Sequence, residues 1–211
     1  MARTKSDEKR REIVRVAALA FQELGYERTS MLTIAERLHG SKQTLYNYFP
    51  SKEDLLRAVL DFDVADVADQ AMDTFLAEPD LREGLARLGQ IYLERQLAPL
   101  AIANIRTVST QPAESGIGEE FYRDILCAAW KRAADAFETL MEEGKLRRAD
   151  PWLAAMHFKG LVLQDLLERQ LLGAAATASP DDVGAAAREA ADAFLMIYGQ
   201  PESAPGAKRA S

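Results

Sequence analysis

At 211 residues, with 48% hydrophobic and 28% charged side chains, the chain has the length and composition of one large or two small globular domains, which excludes a disordered or fibrous protein. One cysteine, Cys127, excludes an intramolecular disulfide and fits a reducing compartment, and two histidines, His39 and His157, leave too few ligands for a zinc site. The net charge of −7 argues against a nucleic-acid partner only until its distribution is read: residues 1–60 carry 11 Lys+Arg against 8 Asp+Glu, and the remainder 15 against 25, so a basic head precedes an acidic body.

No apolar stretch of signal-peptide length follows the charged Met1–Arg11. The longest weakly polar run, Leu97–Ile105, is interrupted by Pro99 and Asn104 and falls short of the ~18 residues of a membrane span. The expectation is a cytoplasmic protein with no membrane partner. No alternating apolar and polar run is bounded by hairpin signals, so the fold expected is all-α, with about nine helices.

Ser6, followed by Asp7 and Glu8, reads as the cap of a first helix whose stripe is Ile13, Ala17, Ala20 and Leu24, with Gly25 as its stop. A short helix after Ser30 turns Ile34, Ala35 and Leu38 inward, and His39-Gly40 breaks it. Ser41 caps a third helix ending near Phe49, and Ser51 with Asp54 opens a fourth, predicted to run over 51–76 as a linking helix. Helices follow from Pro79-Asp80 to about Gln96, after Pro99, from the loop Pro112–Gly118 to Gly144, from Asp150-Pro151 to Gly173, and from Ser179-Pro180 onward. Domain boundaries are expected at 1–55 for the head and 56–199 for the body, with residues 200–211 a disordered tail rich in Pro, Gly, Ser and Ala.

The segment Thr33–Leu56 carries the chemistry. Two short helices joined by a tight glycine-containing turn form a helix-turn-helix, whose second helix is dimensioned for a major groove. Leu45 and Phe49 share one face of that helix and must point to the core. Gln43 and Asn47 then face outward, flanked by Thr44 and Tyr46, and such amides and hydroxyls can hydrogen-bond base edges and phosphates. Lys42 and Lys52, at two helix starts, are placed for phosphates. Periodicity alone leaves an ordinary solvated surface helix equally open.

The spaced residues are more specific. Phe21-x-x-x-Gly25-Tyr26-x-x-Thr29-Ser30, Ile34-Ala35, and Ser41-Lys42-x-Thr44-Leu45-Tyr46-x-x-Phe49-x-Ser51-Lys52-x-x-Leu55 resemble the TetR (tetracycline-repressor-like) family of regulators. The resemblance implies a three-helix DNA-binding domain followed by a helical ligand-binding and dimerisation domain. It also implies a homodimeric regulator, most often a repressor, that binds double-stranded DNA at a palindromic operator and needs no cofactor or metal. Thr44, Tyr46, Tyr48 and Lys52 correspond to DNA-contacting positions, with Lys42 and Gln43 beside them and Ser30 capping the supporting helix. With Thr33, Ser41 and Asn47 these make up the candidate DNA-binding set. One departure is His39-Gly40, where the family usually has Gly-Val and the Val packs beneath the turn.

Arg106, Pro112, Phe121-Tyr122 and Glu143-Gly144-Lys145-Leu146-Arg147-x-Ala149-Asp150-Pro151-x-x-Ala154-Ala155 are similar to the C-terminal region of the AefR-like subgroup. The resemblance implies that the last two helices pair with those of a second subunit. Leu153, Gly160, Leu167 and Leu171 on one helix, and Ala187, Ala190, Phe194 and Ile197 on the other, are the candidate contacts, the alternative being that both stripes are intramolecular core. An effector pocket, for a small and largely apolar molecule, is implied between the helices of 51–144, with Phe75, Tyr92, Tyr122 and Trp130 as candidate walls, each of which reads as plain core before it reads as ligand wall. Catalysis is not expected: the chain has no HExxH, CxxC or nucleophile-elbow pattern, and Glu119-Glu120 and Glu142-Glu143 are adjacent on helices and do not converge. An all-helical interaction protein is the competing class, and the basic head with its outward polar face argues against it.

Overall fold

A computed structural model describes residues 5–62, 64–174 and 178–200, so the expected tail lies, beyond Gln200, outside the described residues. Twelve α-helices account for almost all of them, and the one extended pairing among them is an isolated antiparallel bridge between Leu146 and Gly199.

The head begins with α1 (Lys5–Leu24), already helical at Lys5, so Ser6 lies inside its first turn and does not cap it. Ile13, Val14, Ala17 and Phe21 bury one face of α1. α2 (Met31–Arg37) adds Met31, Ile34 and Ala35, α3 (Lys42–Tyr48) adds Leu45 with Phe49 just beyond it, and α4 (Lys52–Asp61) adds Leu55, Leu56, Val59 and Leu60. Burying these side chains holds α2 and α3 rigidly against α1.

The body follows as α5 (Val64–Ala77), α6 (Leu81–Leu97) and α7 (Pro99–Ser109). Next, α8 (Ile117–Glu120) runs through a π-helical stretch, Phe121–Cys127, into α9 (Ala128–Glu142). α10 (Pro151–Leu163), α11 (Leu166–Leu172) and α12 (Pro180–Tyr198) complete it. Phe137 packs 6.0 Å from Phe158 and 5.0 Å from Phe194, and these rings join α9, α10 and α12 in one aromatic core. The two cores are not independent. Ile117, from the body, is buried in the head's cluster, and Leu100, Val108, Phe121 and Ile125 pack against it.

Two predicted helices are broken. The linking helix over 51–76 ends at Phe62, whose ψ of 121° turns the chain out of α4 before α5 begins. The turn lets the Phe62 ring pack against the head core, under the Arg15 guanidinium at 6.0 Å, and Arg95 Nη2 donates to the Phe62 carbonyl at 3.4 Å. The helix predicted from Asp150 to Gly173 breaks at Gln164, which adopts φ 46°, ψ −131°. Leu166 then packs on the body core, and Arg106 on α7 donates through Nε and Nη2 to the Leu171 carbonyl (3.1 and 2.7 Å), capping α11 from outside. Tertiary packing overrides helix propensity at both points, and neither break carries a Gly or Pro signal.

Candidate nucleic-acid interface

The reading surface rests on three capped helix starts. Ser30 Oγ accepts from Thr33 N at 3.1 Å, Ser41 Oγ from Thr44 N at 3.0 Å, and Ser51 Oγ from Asp54 N at 3.0 Å. The threonine hydroxyls close on the same serines, Ser30–Thr33 at 2.9 Å and Ser41–Thr44 at 2.8 Å. Between α2 and α3, His39 N donates to Glu36 O and Gly40 N to Ala35 O, with His39 left-handed at φ 48°. This is the Schellman pattern with histidine in the position that usually takes glycine. These two bonds close the turn without a valine side chain, and a Cβ on Gly40 would meet only ordinary contacts at 3.8 Å or more.

On α3, Leu45 and Phe49 are buried while Lys42, Gln43, Tyr46 and Asn47 are exposed and Thr44 and Tyr48 half-buried. Gln43 Nε2 donates to Asn47 Oδ1 at 3.2 Å, which orders the two amides along the outward face, and the Lys42 ammonium lies 5.6 Å from the Tyr46 ring. Lys52 is held more firmly. Its Nζ donates to the Tyr26 carbonyl at 3.0 Å and sits 4.1 Å from the Tyr26 ring centre, which fixes a cation at the start of α4 with two N–H donors left over. Burial, with Glu53 and Glu27 nearby, pushes the Tyr26 phenol up to about 12. Its buried hydroxyl has no hydrogen-bond partner among the described residues.

The body offers two further features. An exposed apolar face lies where the start of α10 meets the end of α12: Leu153 is 50% exposed, Ile197 42% and Met196 87%, with Trp152 beside them. A hydrogen bond of 2.6 Å between His157 Nδ1 and Tyr198 Oη ties the two helices together. Between α5, α6 and the 125–133 segment lies an apolar cavity of about 90 Å³, walled by Met72, Leu88, Tyr92, Leu126 and Trp130 among others. Tyr92 and Trp130 meet edge to face at 4.8 Å, and burial, against a hydrogen bond to Trp130, pushes the Tyr92 phenol up to about 12.

Residues 13–59 match the tetR family of bacterial regulatory proteins, and residues 83–200 match the C-terminal domain of AefR-like transcriptional repressors. The chain belongs to the tetR family. The DNA-binding transcriptional repressor TetR of Mycobacteroides abscessus is 29% identical over 140 residues, a match spanning 65% of this chain and 60% of that relative's length. A TetR-family regulator from Mesorhizobium loti MAFF303099 superposes with a TM-score of 0.85 at 26% identity, covering 94% of this chain and 100% of that one. The flavonoid-responsive regulator FrrA superposes with a TM-score of 0.65 at 28% identity, covering 91% and 98%.

In this tetR-family chain Ser30, Ser41, Lys42, Gln43, Tyr46 and Asn47 are exposed and Thr33, Thr44, Tyr48 and Lys52 half-buried, whereas the residues expected in the body divide. Tyr92 and Trp130 line the cavity, but Phe75 is packed into the core 6.1 Å from Phe137, and Tyr122 is exposed on the π-helical stretch outside it. Both leave the candidate pocket. Ala187, Ala190 and Phe194 are buried in the chain's own core against α6 and α10, so they cannot meet a partner. Leu153, Gly160 and Ile197 remain exposed, and Leu167 and Leu171 are half-buried on α11. The apolar stripe of α12 faced inward, and the sequence signal for the outward face was the neighbouring Met196-Ile197. Trp152 and Met196, exposed beside Leu153 and Ile197, were not among the expected contacts.

Proposed function

We propose that this protein is a cytoplasmic, sequence-specific DNA-binding transcriptional repressor that binds a palindromic operator as a homodimer and is released by a small, largely apolar effector. The carrying observation is the outward face of α3, where ordered amides at Gln43 and Asn47 stand between the cations Lys42 and Lys52. Amides can pair with base edges while the cations take phosphates. The exposed apolar face of α10 and α12 supports the dimer, and two-fold symmetry gives two half-sites about one helical turn or somewhat more apart. The cavity beside Tyr92 and Trp130 supports the effector, as does the likeness to a flavonoid-responsive regulator. Among the described residues no helix is long and apolar enough to cross a membrane.

Genome-wide binding-site selection followed by footprinting tests this reading, and protected sites without a dyad would overturn it. On the selected operator, Gln43→Ala is expected to cost about 1–3 kcal/mol, relax one base position per half-site and leave the salt slope unchanged. Lys52→Ala is expected to weaken operator and scrambled DNA alike and to reduce the log–log salt slope by about 1 per half-site. A Gln43→Ala variant that weakens both DNAs equally would remove the division of roles.

A further inference from the structure

The apolar cavity exists because short side chains border it. Ala68 and Ala71 line it from α5, and Ala129 and Ala133 from α9, so side chains a few methylene groups longer would fill it. Its remaining wall is aromatic. Tyr92 on α6 meets Trp130 edge to face, ring centres 4.8 Å apart, and Trp130 is backed by Phe158 at 6.5 Å. A further ring can pack on such an array in the same offset or edge-to-face geometry. At about 90 Å³ the cavity is smaller than the ~150 Å³ that holds one benzene ring. Met72 also lines it, and its unbranched thioether can swing to make up the difference. A second ring finds no such room.

The lining decides charge as well as size. Among the described residues no carboxylate borders the cavity, so an ammonium would lose its water there without gaining a partner. The one guanidinium at its edge, Arg95, is already engaged, by the Phe62 carbonyl at 3.4 Å and by a further interaction. A carboxylate would have to displace those partners, and an uncharged ligand bears neither cost. One polar handle remains. The indole N–H of Trp130 can only donate, so the Tyr92 hydroxyl accepts from it, and the hydroxyl's own proton is left for another acceptor.

We propose that the effector is an uncharged, one-ring aromatic compound with a single acceptor atom, its ring against Tyr92 and Trp130 and its acceptor hydrogen-bonded to the Tyr92 hydroxyl. This deepens the effector-released reading above and rests on it. The walls also supply a route to the head. Ile125 lines the cavity and packs against the head's core. A ring that spreads the walls presses on the segment against which the head rests, and occupancy then shifts the chain between head positions.

The test is calorimetric titration of the full chain at neutral pH with acetophenone, ethylbenzene, benzoate, benzylamine and the two-ring benzophenone. Acetophenone is expected to bind one-to-one, about three- to tenfold tighter than ethylbenzene, the worth of one neutral hydrogen bond. Benzoate, benzylamine and benzophenone are expected to bind at least about tenfold more weakly than acetophenone. Tyr92→Phe is expected to bring acetophenone down to ethylbenzene while leaving ethylbenzene unchanged. Ala71→Val and Ala129→Leu, which fill the cavity from its two sides, are expected to abolish binding with Tm unchanged or raised, which separates a filled cavity from an unfolded chain. Ions or benzophenone binding as tightly as acetophenone, a ketone advantage that survives Tyr92→Phe, binding that survives both filled variants, or no binding by any compound at millimolar concentration would overturn the proposal. Acetophenone that binds as expected but leaves the operator complex intact in a gel shift would leave the aromatic site standing and sink the release reading.

Discussion

His39 holds the turn between α2 and α3 at a φ of 48°, a region that costs an L-residue with a Cβ about 1 kcal/mol and that glycine occupies freely. The sequence placed His39 at a break but could not tell which of His39 and Gly40 would be left-handed, because glycine is the natural guess and stands next door. His39→Gly is expected to raise stability by about 0.5–1 kcal/mol, seen as a rise of about 2–3 °C in Tm, with operator affinity unchanged because the turn already has this shape. An unchanged or lower Tm would mean that the histidine ring contributes packing that offsets its backbone strain. Tyr26 poses the converse problem. Its ring supports the Lys52 ammonium from 4.1 Å, a contact phenylalanine keeps, while its buried hydroxyl finds no partner among the described residues. Tyr26→Phe is therefore expected to be neutral or to stabilise by up to about 1 kcal/mol by chemical denaturation, and to leave the salt slope of DNA binding intact. A loss of more than about 1 kcal/mol would show that the hydroxyl is hydrogen-bonded after all.

Helix starts were the most legible elements, and helix interruptions the least. Asp80, Asp150 and Ser179 cap α6, α10 and α12 as their side chains predict, because an N-cap is a local bond between a side chain and a backbone N–H two or three residues on. The breaks at Phe62 and Gln164 depend on what α4 and α11 pack against, and nothing local announces them. The π-helical stretch Phe121–Cys127 is equally silent in sequence, yet its Ile125 borders both the apolar cavity and the head core. Close helix approach is a similar case. A Cβ on Gly89 of α6 would sit 3.1 Å from Val162 Cγ2 and 3.5 Å from Ala187 Cβ, so glycine there lets α6 nest between α10 and α12. Gly89→Val is expected to destabilise the body by about 1–3 kcal/mol, measured by thermal or chemical unfolding, because three packed neighbours would have to give way. Unchanged stability would show that α10 can shift outward without loss.

At the scale of the whole molecule, the DNA-reading head was legible because its motif is compact and its core stripe and outward face alternate within seven residues. The proposed assembly surface was not, because an apolar stripe on a helix does not say whether it meets its own chain or another. The structure answers this for α12: Val183, Ala187, Ala190 and Phe194 turn inward, while Met196 and Ile197 join Trp152 and Leu153 outside. Two substitutions on the same pair of helices should therefore fail in different ways. Phe194→Ala removes a fully buried ring that touches Phe137 and Phe158, and is expected to cost about 3–5 kcal/mol and to lower helical content at modest temperature. Leu153→Lys combined with Ile197→Lys places like charges on the exposed face without touching the core. It is expected to yield a folded monomer, with native far-ultraviolet circular dichroism and half the mass in analytical ultracentrifugation. Its operator affinity should collapse, since one head alone keeps only half the contacts. The Tm should rise with protein concentration in the wild type and not in the variant, because dimer formation stabilises by mass action. If the double-lysine chain still sediments as a dimer at micromolar concentration, the subunits meet elsewhere, and the half-buried side of α11 that carries Leu167 and Leu171 becomes the surface to charge next.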